Sequence, residues 1–273
     1  MKDLHIHTIY SDGEFDEFAI LKEIKKSNIT EFAICDHDTI EGSKKVLKVL
    51  RKQNSPLIFH TGIELTCRFK EFSNGVNMHI LFLDFDFGNE NLKKVIDEIS
   101  ELRIKKISTM VECVEQNYNI KIPFDKIEEK LKQTKSFGKP HLLSIMQEIG
   151  KFDREKFYEL MDKLDTAHLK LDAKKTIQKL KGSGLLILAH PVEVMKEYNF
   201  DIEQIEKLIS SLKDVGLDGI ETAHSSQTPT LQIQLKNIAQ KYDLSESQGS
   251  DFHGPNIKPD VKIGLVYKSQ NEN

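Results

Sequence analysis

Apolar positions along the chain follow two rhythms. Short apolar or β-branched runs at 3–7, 31–36, 57–64, 76–83, 185–189, 218–222 and 244–250 predict seven strands. Between them, apolar residues recur at helical spacing: Phe15, Phe18, Ala19 and Ile24; Val46, Leu47 and Leu50; and Ile202, Ile205, Leu208, Ile209 and Leu212. Strand alternating with helix predicts an α/β layer architecture or barrel. One join breaks the pattern. About ten residues separate the third strand from the fourth, fewer than the dozen or more that a parallel crossover needs, so a barrel of these strands is irregular there.

Residues 90–180 carry almost no β-branched runs and read as successive amphipathic helices. A long one spans about Asn91 to Gln116, and shorter ones follow Pro123, Pro140 and Asp153. The stretch lies between the fourth and fifth strands, so it predicts a helical insertion (90–180) dividing an α/β body into 1–89 and 181–273.

Composition narrows the class. The chain has 273 residues, 38% hydrophobic and 30% charged, with a formal net charge of −4. That supports a sizeable core and excludes a disordered chain. The acidic balance argues against binding long duplex nucleic acid, which needs a basic surface. No apolar run approaches the ~18 residues of a membrane span, and the N-terminal segment has no apolar signal core. Three cysteines without a C-x-x-C pattern, Cys35, Cys67 and Cys113, fit a reducing cytoplasm. Within the insertion, segment 121–139 is locally basic, through Lys121, Lys126, Lys130, Lys132, Lys135 and Lys139. It reads either as a solvated helix face or as a basic lid over an anionic substrate.

The chemistry gathers at the strand ends. His5 and His7 form H-x-H on the first strand, where residues i and i+2 share a face. Asp12 follows in a Ser-Asp-Gly turn. The second strand ends at Asp36-His37-Asp38, the third at Glu64, the fifth at His190, the sixth at Glu221 and His224, and the seventh at Asp251-x-His253; the fourth contains His79. The C-terminal ends of barrel strands are where active sites are built. Imidazoles and carboxylates that converge there without a metal ion carry a desolvation and repulsion cost. Imidazole plus carboxylate without thiolate suits Mn²⁺, Fe²⁺ or Zn²⁺. The donors exceed what one ion uses, so two or three divalent ions sharing a carboxylate are expected, an arrangement suited to phosphoryl transfer.

These segments resemble the PHP (polymerase and histidinol phosphatase) family. The matching pieces are Asp3-Leu4-His5-Ile6-His7-Thr8, Ser11-Asp12-Gly13, Asp36-His37-Asp38-Thr39, Gly62-Ile63-Glu64, His79-Ile80-Leu81, Ala189-His190-Pro191 and Gly249-Ser250-Asp251-Phe252-His253-Gly254. The resemblance implies an irregular seven-stranded β/α barrel and a trinuclear site. It implies that His5, His7, Glu64 and Asp251 hold the first ion, that Glu64 bridges to a second on His79 and His190, and that Asp12, His37 and His253 hold the third. Gly138-Lys139-Pro140-His141 in the insertion is similar to the branch acting on 3′,5′-bisphosphonucleotides or the 5′ end of short RNA, with Lys139 where that branch has Arg. The implied activity is phosphoester hydrolysis by a metal-bridging hydroxide on a small phosphorylated substrate. Histidinol phosphate is the alternative substrate, and a metal-binding scaffold without turnover the alternative class.

Some roles stay open at this level. Lys139 and His141 are either substrate contacts or a helix start. His224 is either a proton donor and substrate contact or a structural histidine. His60 and His168 are expected to be structural or exposed, Asp36 to orient an imidazole, Asp38 to cap a helix, and Cys67 to behave as a small buried hydrophobe.

Overall fold

The computed structural model describes residues 1–133, 137–150 and 152–264. Of the lysines of 121–139, Lys135 lies outside the described residues, as does the side chain of Lys132.

The first half alternates as expected: β1 (Lys2–Ile6), α1 (Glu17–Lys26), β2 (Glu31–Ile34), α2 (Glu41–Lys52) and β3 (Ile58–His60). These three strands pair in parallel as one sheet. Asp16 caps α1 by accepting from the Phe18 and Ala19 amides. The buried face of α1 is Ile20, Leu21 and Ile24. Phe18, expected on that face, is 61% exposed; the stripe that packs into the core is Ile20, Leu21 and Ile24.

The run at 57–64 is not one strand. It breaks at Thr61, and its second part continues as β4 (Gly62–Phe69), which pairs antiparallel with β5 (Val76–Leu83) from Gly62–Leu83 to Phe69–Val76. The short connection noted in the sequence is therefore a hairpin, which needs no crossover. β4 and β5 belong to a second sheet with β6 (Leu171–Asp172), β7 (Leu185–Leu188), β8 (Gly219–His224) and β9 (Ser245–Gly249), in the order β6-β4-β5-β7-β8-β9.

The expected seven-stranded barrel is corrected accordingly to an α/β fold of two sheets. They meet at both seams through isolated bridges, Ile6 with Phe252 and His37 with Glu64, and a few backbone hydrogen bonds around them, and among the described residues no continuous ladder closes them. Left-handed backbone at Asp38 (φ 55°) and Asp251 (φ 58°) turns the chain beyond β2 and β9 at the bridges themselves.

The helical segment comprises α3 (Glu90–Tyr118), α4 (Phe124–Gln133), α5 (Lys139–Ile149) and α6 (Arg154–Lys163), followed by β6 and α7 (Ala173–Leu180). α3 serves two cores. Leu92, Val95 and Ile99 join the main core with the β4, β5 and β7 residues, whereas Ile107, Met110 and Val114 pack with Leu142, Met146 and Phe157 in a separate cluster. Beyond β7, α8 (Pro191–Tyr198), α9 (Ile202–Val215) and α10 (Pro229–Lys241) cover the second sheet. The face predicted for α9 is observed, with Ile205, Leu208, Ile209 and Leu212 buried. None of the described helices is long and apolar enough to cross a membrane.

Candidate metal centre

The strand ends converge on Glu64, which is 1% exposed. Its Oε2 lies 3.3 Å from His5 Nε2, 3.2 Å from His7 Nε2 and 3.0 Å from His37 Nδ1. Its Oε1 lies 2.9 Å from His79 Nδ1 and 2.8 Å from His190 Nε2. Asp251 Oδ1 stands 3.3 Å from His7 Nε2 and 3.8 Å from His5 Nε2. Asp12, half-exposed at the mouth, reaches His253 Nε2 at 3.3 Å, His7 Nδ1 at 3.5 Å and His37 Nε2 at 3.6 Å. All of the expected ligands thus come together, from β1, the turn after it, the ends of β2 and β7, β4, β5 and the turn after β9.

The donors also cluster as sets suited to single ions: His7, Asp12, His37 and His253; His5, His7 and Glu64; His37, Glu64 and His79; and His5, His224 and Asp251. Several ring and carboxylate atoms pointing into this space are buried without a hydrogen-bond partner, among them His5 Nε2, His7 Nε2, His37 Nδ1, His224 Nε2 and Glu64 Oε2. Orphaned buried polar atoms are costly, and their convergence is what a cation-binding site requires. The far ring nitrogens are held. His5 Nδ1 lies 3.2 Å from Glu221 Oε1, and His253 Nδ1 lies 2.9 Å from the Asp251 carbonyl. Donation from those nitrogens leaves Nε2 as the lone-pair atom, the tautomer a metal ligand needs. The donor set therefore fits divalent ions of borderline character.

Burial and mutual charge set the protonation pattern. Burial works against ionising Glu64, yet the surrounding His37, His5 and His79 hold its carboxyl well below the usual carboxylate range. Burial and repulsion from His253 pull His7 down to about 4, whereas His37 is pushed up to about 9, because Glu64 and Asp12 outweigh its burial. So many imidazoles in one place cannot all be cationic.

A ring of supporting groups, to which the sequence reading assigned no role, positions the centre. Glu221 Oε2 accepts from the His190 amide at 2.7 Å, holding that residue at φ 27° ahead of Pro191. Asp3, fully buried, accepts from the amide and hydroxyl of Ser250 and from the Gly264 amide, tying β1 to the turn that carries Asp251. Its signal was present in sequence, since Asp3, His5 and His7 share one face of β1. Lys258 pairs with Asp251 Oδ2 at 2.5 Å.

The roles expected of Asp36 and Asp38 change, while those expected of Cys67, His60 and His168 stand. Asp36 contacts no imidazole directly; it reaches His7 Nδ1 only through the Ser11 hydroxyl, 3.5 Å from that nitrogen. It accepts from the Thr8 amide (2.7 Å), the Thr8 hydroxyl (2.6 Å) and the Ser11 hydroxyl (2.7 Å), so it clamps the turn that carries Asp12. Asp38 does not cap α2, whose N-cap is Ile40; its carboxylate accepts from the Thr66 amide and from Arg103. Cys67 is buried in the main core. His60 pairs with Asp84 and Glu31, and His168 is exposed. His224 reaches Asp251 Oδ2 at 3.5 Å, while its Nδ1 is 2.8 Å from Ser226 Oγ, which donates to Glu193. His141 Nδ1 accepts from the Gly138 amide and so caps α5, and Lys139 pairs with Asp162 at 2.5 Å. Neither His141 nor Lys139 lines the cavities beside the centre.

Comparison with known proteins gives the family and the fold. Residues 3–215 match the PHP domain. A 5′-3′ exoribonuclease of Haemophilus influenzae is 28% identical over 259 residues, covering 93% of this chain and 90% of the relative. A phosphoribosyl 1,2-cyclic phosphate 1,2-diphosphodiesterase of Eggerthella lenta is 24% identical, over 93% of this chain and 94% of its own. A 3′,5′-nucleoside bisphosphate phosphatase of Chromobacterium violaceum is 23% identical, over 93% and 87%. A solved structure assigned as a metal-dependent phosphoesterase of Bifidobacterium adolescentis shares the fold, with a TM-score of 0.75 at 24% identity, covering 99% of this chain and 93% of that one.

Proposed function

The chain belongs to the PHP domain family, and from that premise we propose that it hydrolyses phosphate esters of nucleotides, either 3′,5′-bisphosphonucleotides or the 5′ end of short RNA. Its membership makes it a metal-dependent phosphoesterase; the nucleotide substrate is our reading. The observation that carries it is the set of buried, partnerless donor atoms around Glu64.

We assign His5, His7, Glu64 and Asp251 to one ion, Glu64, His79 and His190 to a second, and Asp12, His37 and His253 to a third. His37 stands close enough to Glu64 to serve either of the last two. Such ions, when bound, supply an activated water and charge neutralisation for in-line displacement at phosphorus. The chain does the rest. Glu221 and the Asp251 carbonyl fix the His5 and His253 rings, and Asp36 fixes the turn carrying Asp12. Hydrolysis breaks the ester P–O bond, and the leaving oxygen takes a proton. We assign that proton to His224. It lines a cavity of about 430 Å³ together with Glu64 and Asp251, and its Nδ1 is backed by Ser226 and Glu193. His141, engaged as the cap of α5, is the less suited donor.

The test is phosphate release from a 3′,5′-bisphosphonucleotide, a 5′-phosphorylated oligoribonucleotide and histidinol phosphate, with Mn²⁺, Fe²⁺ or Zn²⁺. Turnover of either nucleotide substrate, lost in His224→Asn with the metal content retained, supports the reading. Preferential turnover of histidinol phosphate refutes it.

A further inference from the structure

Two cavities meet at His37 and His79, both ligands of the assigned centre. The one on the insertion side, about 220 Å³, extends away from the centre between α3 and the segment leading into β6. Arg103 and Lys106 on α3 and Lys170 just before β6 line it. Arg103 is committed, donating to the His37 carbonyl at 3.1 Å and to Asp38 Oδ2 at 3.2 Å.

Lys106 and Lys170 are different. Each is half-buried, and neither has an ion-pair or hydrogen-bond partner among the described residues. Burial pulls both below the ordinary lysine range, outweighing the pull of Asp38 on both and of Glu197 on Lys170, with Lys106 adding to the depression at Lys170. A partly desolvated ammonium without a counter-ion in contact is unfavourable, and a long lysine stem normally lets the charge escape to water. Here two of them, from segments far apart in sequence, line the same small cavity beside a phosphoryl-transfer centre. The rest of its wall includes apolar Leu102, Phe137 and Leu171, and the Asp38 carboxylate, which the Thr66 amide and Arg103 already engage. Lys139, the cation expected here from sequence, is instead occupied by Asp162.

We infer that this cavity is a second anion subsite, in which Lys106 and Lys170 hold a phosphate of the substrate other than the one being cleaved, while the apolar wall meets the nucleoside between them. The inference rests on the phosphoesterase reading and sharpens it, since the preferred substrate then carries two phosphate groups one nucleoside apart. That chemistry is shared by the second phosphate of a nucleoside bisphosphate and by the first internal diester of a 5′-phosphorylated oligonucleotide. A simple monoester has nothing to place there.

The test compares the wild type with Lys106→Ala, Lys170→Ala and the charge-retaining Lys106→Arg. Selectivity is the kcat/KM for adenosine 3′,5′-bisphosphate, or for a 5′-phosphorylated diribonucleotide, divided by that for p-nitrophenyl phosphate. Loss of one charged contact corresponds to about tenfold or more, so each alanine variant should lower the ratio at least that much, chiefly through KM, and Lys106→Arg should restore most of it. Which of the two numerators collapses identifies the source of the phosphate. Calorimetric binding of adenosine 3′,5′-bisphosphate against adenosine 5′-monophosphate gives a readout independent of turnover. If the wild type binds the bisphosphate more tightly and the alanine variants lose that preference, the subsite stands even should no substrate turn over, an outcome that would remove the catalytic reading alone. An unchanged ratio and unchanged binding preference, or equal losses on all ligands, overturns the subsite.

Discussion

Replacing Asp36 separates the fold from the metal site more cleanly than replacing a ligand. Its carboxylate is fully buried and touches no imidazole, yet it accepts three hydrogen bonds from the turn that presents Asp12. Asp36→Ala strips the partner from the Thr8 amide, the Thr8 hydroxyl and the Ser11 hydroxyl, all buried. At ~1 kcal/mol each, the low end for an orphaned buried donor, the total is about 3 kcal/mol, or roughly 6–12 °C in Tm for a chain of this size. Asp36→Asn keeps the shape. Its carbonyl can accept from the Thr8 amide and Ser11, and the Thr8 hydroxyl can rotate to accept from the new amide group, so the stability loss should stay within about 1.5 kcal/mol. Asp36→Ala should free the turn and weaken the ion held by Asp12, His37 and His253 by about 10- to 100-fold, the usual range for losing a group that positions a ligand, whereas Asp36→Asn, which keeps the clamp, should weaken it less. Thermal melts in chelator give the stability term, and elemental analysis across graded Mn²⁺ gives occupancy. An alanine variant that melts like the wild type refutes the clamp. One that melts lower but keeps every ion at wild-type affinity refutes the link from clamp to metal.

Four further outcomes are expected. Glu64→Gln removes the charge shared by two ion positions, so Mn²⁺ occupancy should fall at both together; a loss of only one ion on elemental analysis contradicts the bridge. Glu221→Ala frees His5 Nδ1 and the His190 amide, which should weaken metal affinity about 10- to 100-fold in an equilibrium competition with chelator. In Gly249→Ala the new methyl overlaps the His5 Cβ and stands 2.8 Å from Glu221 Oε1, so metal binding should be largely lost while circular dichroism still reports a folded chain. Phe157→Ala hollows the cluster between α3, α5 and α6 and should cost about 3–5 kcal/mol in urea unfolding; a loss below about 1 kcal/mol would mean that this cluster adds little stability.

The sequence alone determined the ligand pattern, because that pattern is local. Period-two geometry puts His5 and His7 on one face of β1, and Asp251 and His253 sit two apart in the turn after β9. Each remaining ligand lies on or just past a strand, a position that apolar periodicity marks. Helix starts were legible for the same reason, as at Asp153, whose side chain caps α6. What only the tertiary structure decided depends on pairing between distant segments. Apolar content at 57–64 cannot show that the chain breaks at Thr61 and that β4 turns back on β5, since strand direction is set by the partner and not by the strand. Nor can it show that the sheets meet through single bridges. The same holds for charge. Asp36 and Asp38 are adjacent to His37 in sequence, but their partners are Thr8, Ser11, Thr66 and Arg103, brought near only by folding. Lys139 and Lys106 look alike as letters in a lysine-rich helical segment. One folds against Asp162 and the other against a cavity with no counter-charge in contact, because which groups lie within reach of a long side chain is fixed only once the chain has packed.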